Sequence, residues 1–220
     1  MKSYGWTARF YGHAEQLVFG SQLMRARLAL LPKLHTATRI LILGEGDGRF
    51  LSALVEQNPG STIVVVDRSQ RMLARAARRL PEGTTFVHLI QQDATEYLTR
   101  LEASERFDAI VTLFVLDCLT PPEVAALVRL ATRRLAPGGA WLWGDFFVPL
   151  NGPFRFVARL MLTLLYRFFR ATTDTTASFL VDTGPHFEAA GLRVAASSSS
   201  LCGMVAVRYM VSGRGEPLRT

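Results

Sequence analysis

Apolar residues recur along this chain in two rhythms. Short continuous runs alternate with longer stretches of helical period between Arg39 and Gly144. Arg39–Leu43 and Thr62–Val66 are aliphatic and β-branched without a polar break, the pattern of strands covered on both faces. Phe50–Glu56 between them predicts a helix, closed by Asn58-Pro59-Gly60. Ser69–Leu80 predicts a second helix, with Ser69 at its N-cap and Pro81 beyond its end. Thr85–Ile90 and Phe107–Leu113 predict a third and a fourth strand. Pro121–Leu135 predicts a helix with proline in its first turn, and Ala140–Gly144 a fifth strand after the Pro137-Gly138-Gly139 turn. Strands alternating with helices in this way predict a parallel sheet with right-handed crossovers.

The flanks carry different patterns. Leu17, Val18, Leu23, Met24 and Leu28 recur at helical spacing within residues 13–31, and Pro32 marks the end of that helix. After Asp145, Phe154–Arg170 predicts a helix rich in Phe and Leu, with Arg155, Arg159, Arg167 and Arg170 along it. Ser178–Ala190 predicts another, ending at Gly191. Leu192–Ser200 and Cys202–Val211 predict two strands around a tight turn at Gly203, an antiparallel hairpin at one edge of the sheet. The 220 residues thus divide within a single domain. Residues 1–35 form a helical cover, 39–145 the core, 146–191 a helical insertion or lid, and 192–211 the hairpin. The tail Gly213–Thr220 is expected to fray.

Composition narrows the function classes. The net charge is +7, and Lys2 and Lys33 are the only lysines, so arginine carries the basic charge. A basic surface suits anionic partners in general and singles out none. Cys118 and Cys202 are too few for a disulfide framework, and no metal-ligand spacing is present. The first residues, Met1 to Leu31, contain no early apolar stretch of the secretory type, which points to the cytoplasm.

The strongest local feature is Leu41-Ile42-Leu43-Gly44-Glu45-Gly46-Asp47-Gly48, a strand running into a glycine-rich turn and then a helix. Glycines let backbone approach a ligand, and a helix start offers unpaired N–H groups. Asp67 ends the second strand, where an acid can accept both ribose hydroxyls of an adenosine ligand. Ser69 is available as the helix cap, which leaves Asp67 for the ligand. A dinucleotide fingerprint would need glycine at the position held by Arg49, so the spacing favours S-adenosylmethionine (SAM) over a nicotinamide dinucleotide.

At these residues the chain resembles the class I SAM-dependent methyltransferases, and the resemblance extends over residues 39–145. Asp67-Arg68-Ser69-Gln70-Arg71-Met72-Leu73 is similar to the family's second segment, and Gln92-Asp93-Ala94 to its third. There the acid holds the adenine amino group and the next backbone N–H a ring nitrogen. Phe107–Val111 with Phe114-Val115-Leu116 resembles the fourth segment, and Leu135-Ala136-Pro137-Gly138-Gly139 the turn before the fifth strand. The resemblance implies a Rossmann-like, seven-stranded, mostly parallel α/β sheet with helices on both faces and a C-terminal antiparallel hairpin. It implies SAM as cofactor and S-adenosylhomocysteine as product. By the same resemblance the cofactor-binding residues are Gly44, Glu45, Gly46, Gly48, Asp67, Arg68, Met72, Asp93, Ala94 and Phe114. Tyr4, Ala8 and Tyr11 match a pattern of the quinone-biosynthesis C-methyltransferases, in which such tyrosines close over the cofactor. One departure stands out. The family's acid two positions before the first glycine is Ile42 here, and Glu45, inside the turn, is the residue placed to compensate.

Methyl transfer from a sulfonium needs alignment above all, and a base only where the acceptor must lose a proton. Asp117 and Asp145, at the carboxyl ends of the fourth and fifth strands, are the catalytic candidates; His13 and His186 are weaker ones on position. Asp117-Cys118-Leu119-Thr120-Pro121-Pro122 departs from the Asn/Asp-Pro-Pro-aromatic sequence of base-modifying amino-methyltransferases, which disfavours nucleic acid as a partner. Residues 154–170 are too short and too rich in arginine to span a bilayer. They suit an apolar lid over a hydrophobic, aromatic or lipid-like small molecule, a peripheral contact with an anionic membrane, or an ordinary core helix. The reading is therefore an enzyme that methylates a small acceptor. A SAM-binding subunit without catalysis and a nicotinamide-dependent oxidoreductase are the alternatives.

Overall fold

The computed structural model describes residues 20–147 and 182–213. Seven strands form one sheet: β1 (Arg39–Leu43), β2 (Thr62–Asp67), β3 (Val87–Gln91), β4 (Phe107–Leu113), β5 (Leu135–Phe146), β6 (Leu192–Ser200) and β7 (Val205–Ser212). Their spatial order is β3-β2-β1-β4-β5-β7-β6, parallel from β3 to β5, with β7 antiparallel to both β5 and β6. The expected mostly parallel sheet with an antiparallel hairpin at one edge is the one observed.

Strands β1 and β2 show why their sequences have no polar alternation. Ile40, Ile42, Ile63 and Val65 pack on one face with Leu23 and Leu30, Phe50 and Leu54, and Leu73. Leu41, Leu43, Val64 and Val66 pack on the other with Leu98, Val124, Leu127 and Trp141. Helices α1 (Gly20–Leu28), α2 (Arg49–Gln57) and α3 (Gln70–Ala77) supply the first layer. Helices α4 (Ala94–Arg100), α5 (Pro121–Thr132) and α6 (Gly184–Ala189) supply the second. The buried indole of Trp141 donates to Thr112 Oγ1 at 2.8 Å, so the second layer admits its polar atom without leaving it unpaired. At the amino end of the sheet, Asp108 Oδ2 accepts from Thr38 N, Thr38 Oγ1 and Arg39 N, which ties the start of β1 to β4.

Several boundaries differ from those the sequence predicts. Helix α4 falls in a stretch for which no helix was expected; it is one short helix with a single buried residue, Leu98, and its start is set by the Asp93 cap. Strand β5 begins at Leu135 rather than Ala140, because a bulge accommodates the Pro137-Gly138-Gly139 turn. Phe107 pairs with Leu135 before it and Ala109 with Ala140 after it, and Gly138 takes φ +73°. Strand β7 begins at Val205, not Cys202, since Leu201–Gly203 form a single 3₁₀ turn with Leu201 at φ +52°. Helix α6 starts at Gly184, with Thr183 at its N-cap; of the helix expected over Ser178–Ala190, residues 178–181 lie outside the described residues. The expected helix over residues 154–170 lies outside the described residues.

Candidate active site

The chain runs outward from β1 to β2 and β3, then returns to β4 on the other side of β1. This reversal opens a crevice beyond the carboxyl ends of β1 and β4, where open α/β sheets bind ligands. Gly44, Gly46 and Gly48 line it, at φ +73°, +74° and +86°. They do different work. A Cβ on Gly44 would lie 2.5 Å from Val115 Cγ2, so this glycine lets the loops after β1 and β4 touch. A Cβ on Gly48 would lie 2.4 Å from Ala76 Cα, so that one lets the start of α2 abut α3. A Cβ on Gly46 would meet nothing within 4 Å. The middle glycine therefore leaves an open surface on the loop.

Asp67 ends β2 beside that surface. Its Oδ2 accepts from Gly46 N at 3.3 Å and its Oδ1 from Ser69 N at 2.8 Å. Burial raises its pKa, against the pull of those two N–H groups. Two of a carboxylate's four lone-pair sites remain for a ligand. Ser69 caps α3 as expected, accepting from Met72 N at 3.3 Å. Met72 stands in the first turn of that helix.

Asp93 lies at the carboxyl end of β3, with two partners of its own. It caps α4 by accepting from Glu96 N at 3.0 Å, and it accepts from Arg68 Nε at 2.7 Å. Burial alone would raise its pKa, but the Glu96 N–H and the Arg68 guanidinium outweigh it and hold the carboxyl below its ordinary value. Arg68 is thus bound to an acid rather than projecting alone, and Ala94 opens α4. The neighbouring Gln92 Nε2 is buried without a partner among the described residues. An unpaired buried donor is costly unless something else accepts from it.

On the β4 side the backbone bends sharply. Phe114 takes φ +60°, rare for a residue with a Cβ, and donates its N–H to Gly144 O at 2.7 Å. Its ring packs edge-on against Phe146 with centroids 5.2 Å apart. The bend leads into Asp117, whose N–H donates to Asp145 Oδ2 at 3.0 Å. Phe146 N donates to Asp145 Oδ1 at 3.1 Å, and the Cys118 thiol to Asp117 Oδ1 at 3.4 Å. Asp117 and Asp145 are 8% and 3% exposed, and each carboxyl acts on the ionisation of the other. Burial raises the pKa of both, and for Asp145 the charge of Asp117 adds to it. The structure therefore joins the two catalytic candidates into one carboxyl pair.

Glu45 and Ile42 resolve the departure noted in the sequence. Ile42 is 1% exposed within the apolar core and takes no part in the crevice. Glu45 is buried inside the glycine turn, and its Oε1 accepts from Leu51 N at 2.9 Å. Gly48 is the N-cap of α2 and has no side chain, so Glu45 supplies the missing acceptor to the first turn. A further residue, Arg27 of α1, escaped the sequence reading. It is 7% exposed, its Cζ stands 5.1 Å from the Phe114 ring centroid, and its charge acts on both Glu45 and Asp117. The signal was present: with Leu23, Ala26, Leu30 and Leu31 buried, Arg27 sits in the apolar stripe of its helix.

Of the remaining candidates, Tyr4, Ala8, Tyr11 and His13 lie outside the described residues. His186 is on α6, which packs against α5 and β6 and seats Phe187 on Trp141 and Trp143, away from the crevice. Among the described residues, no group of three or more His, Cys, Asp or Glu is arranged to hold a metal ion. Among them also, no helix is long and apolar enough to cross a membrane.

An open glycine surface, an acid at the end of the next strand and a buried donor one strand further lie together at the crevice where open α/β sheets bind ligands. Comparison with known proteins is more specific. Residues 40–139 match the family model described as a methyltransferase domain. The trans-aconitate 2-methyltransferase of Methylobacterium nodulans is 36% identical over 128 residues, 57% of this chain and 46% of that protein. The chain thus spans about half the length of this curated relative. Among solved structures, the N-methyltransferase NodS from Bradyrhizobium japonicum aligns with a TM-score of 0.61 at 17% identity, covering 88% of this chain and 97% of that one. An O-methyltransferase family protein from Burkholderia thailandensis aligns with a TM-score of 0.68 at 16% identity, covering 95% and 60%. These matches support the resemblance to the class I SAM-dependent methyltransferases over residues 40–139.

Proposed function

We propose that this protein transfers the methyl group of SAM to a small acceptor bound over the carboxyl ends of β4 and β5. The observation that carries the reading is the joint placement of Gly46 and Asp67, an open loop surface with a carboxylate at its lip. Bound there, SAM supplies an activated methyl group on a sulfonium, and displacement in line needs little from the protein beyond alignment. Asp67 accepts from the ribose hydroxyls, the backbone of Gly44–Gly48 seats the methionine arm, and the end of β3 meets the adenine. Phe114 and Phe146 pack edge-on at the carboxyl ends of β4 and β5 and give that side an apolar base. Asp117 and Asp145 take the proton that an O–H, N–H or acidic C–H acceptor gives up as its new bond to carbon forms.

The apolar base supports a hydrophobic or aromatic acceptor. The names of the relatives span a carboxylate-bearing substrate and both N- and O-methylation, so the local side chains, and not the fold, select the acceptor atom. Calorimetric titration tests the cofactor half. S-adenosylhomocysteine and SAM should bind and NADH should not. Asp67→Ala should weaken S-adenosylhomocysteine by about 100-fold or more, the loss of two charge-assisted hydrogen bonds. An unchanged affinity would place the ribose elsewhere. Transfer of labelled methyl to phenols, amines or carboxylic acids tests the other half. Binding without transfer to any of them would favour a non-catalytic SAM-binding subunit.

A further inference from the structure

We propose that the outer face of α3 is a docking surface for an anionic lipid bilayer, held by Arg71, Arg75 and Arg78. Arg68, Arg71, Arg75, Arg78 and Arg79 fall within residues 68–79, with no acid among them. Arg68 is committed to Asp93, and Arg79 to Asp47. The other three form a stripe. At about 3.6 residues per turn, Arg71 and Arg78 share one side of the helix to within about 20°, and Arg75 stands about 40° from Arg71. Leu73 and Ala76 are buried on the opposite side. Arg71 and Arg78 are exposed and Arg75 is half-buried. Among the described residues neither Arg71 nor Arg78 forms an ion pair, and Glu82, the next acid along the chain, pairs with neither. This face belongs to a different segment from residues 154–170.

The helix itself gains nothing from this arrangement. Arg71 stands in the first turn of α3, where the helix dipole disfavours a cation. Arg71 and Arg75 are four positions apart, and Arg75 and Arg78 three, spacings at which like charges on a helix repel. Between Arg71 and Arg78 the exposed residues are Ala74 and Ala77. A flat anionic surface therefore meets guanidinium groups before any other polar side chain on that stretch. Arg71 and Arg78 stand about 10 Å apart along the axis. Bilayer headgroups diffuse in their plane and gather under so short a row, whereas a nucleic-acid backbone holds its phosphates at fixed spacing. The attraction reaches about one Debye length, about 8 Å at physiological salt, so the contact is weak, reversible and salt-sensitive. Helix α3 also begins beside Asp67, so docking on this face keeps the crevice close to the bilayer.

Co-sedimentation of the full chain with phosphatidylcholine vesicles, with and without about 30 mol% phosphatidylserine, tests this at low and high salt. Wild type should bind the anionic vesicles, lose them as salt is raised, and ignore phosphatidylcholine alone. Arg71→Gln combined with Arg78→Gln should weaken binding by about 25-fold, roughly fivefold per arginine. Arg129→Gln combined with Arg133→Gln is the matched control. It removes two exposed charges four positions apart at the end of α5, in the other layer, and should change binding by less than about twofold. An equal loss in the two double variants would show that net charge and not this face holds the bilayer, and would overturn the proposal. So would wild-type binding that is indifferent to phosphatidylserine. So would preference for a short DNA or RNA duplex over the vesicles, with the same sensitivity to Arg71 and Arg78. Removing like charges should not lower the urea midpoint, and the lipid and salt dependence of wild type needs no variant. The assay uses neither cofactor nor acceptor, so its failure leaves the methyltransferase reading intact, and failure of that reading leaves this one standing.

Discussion

Gly48→Ala is expected to lower the unfolding free energy by about 2–5 kcal/mol, the combined effect of a left-handed backbone and a crowded Cβ. Gly48 has φ +86°, and its new methyl group would sit 2.4 Å from Ala76 Cα and 2.9 Å from Ala76 Cβ. The clash is with helix backbone, which cannot swing aside as a flexible side chain can, so α2 and α3 must separate. Urea denaturation should show a clear drop in midpoint at unchanged slope. Gly46→Ala is the informative contrast. It has almost the same φ, +74°, but open space where the methyl group would go. Its stability loss should be about 1–2 kcal/mol, the conformational part alone. Its affinity for S-adenosylhomocysteine should fall far more than its stability, because the methyl group projects onto the open surface where the ligand is proposed to sit. Similar affinity losses in the two variants would mean that the open surface at Gly46 is not the binding face.

Asp117→Asn is the second large effect, and its direction is unusual for a buried position. Asp117 and Asp145 both have folded-state pKa values raised by burial, and the charge of Asp117 pushes Asp145 up further. In the unfolded chain both ionise near the ordinary carboxyl value. A raised folded pKa therefore leaves stability intact in acid and erodes it as pH climbs from about 4 into the neutral and alkaline range. Asparagine does not titrate. Its Oδ1 can keep the Cys118 contact, and its amide can donate to Asp145, replacing repulsion with a hydrogen bond. The variant should gain about 1–3 kcal/mol over wild type at pH 8, and the two should converge near pH 4. Methyl transfer to an acceptor that must lose a proton should fall by about 100-fold or more. A variant less stable than wild type at pH 8 would show that the pair is a net support of the fold. Full activity would remove Asp117 from the chemistry. Gain of stability with loss of turnover is the signature of a group retained for function against its own destabilising effect.

Much of the crevice around the glycine turn was legible because its signals are local. Ile40–Leu43 and Ile63–Val66 read as doubly covered strands with no help from the rest of the chain. The glycine turn, Asp67 and the Ser69 cap each follow from a few adjacent residues. The acceptor side was only half legible. Asp117 and Asp145 were each placed at strand ends, but their pairing depends on β4–β5 register across a bulge, and they are 28 positions apart. Asp93 shows the opposite limit. Its acid type and place match an adenine contact, yet the same features make it a helix cap and an arginine partner, and the structure gives it both of those. Arg27 was overlooked because an arginine in an apolar stripe reads as an interruption. It becomes informative only once the acids it faces, from loops distant in sequence, are in place.

The position of β7 between β5 and β6 also governs the order in which this molecule can assemble. Ala140 pairs with Val211 and Phe146 with Val205, so the fifth strand stays a bare edge until the much later β7 reaches it. Strand β6 leaves the ribosome earlier than β7, yet it touches the sheet only through β7 and has nothing to join until then. Closure of this edge therefore waits on a contact between segments far apart in sequence, which is slow to form. Pulse-labelled hydrogen exchange during refolding should find the β5–β7 amides protected after those of β1 and β2, leaving Trp141 and Trp143 at an open edge in the interval. That interval, rather than the finished fold, is where this protein is most exposed to aggregation.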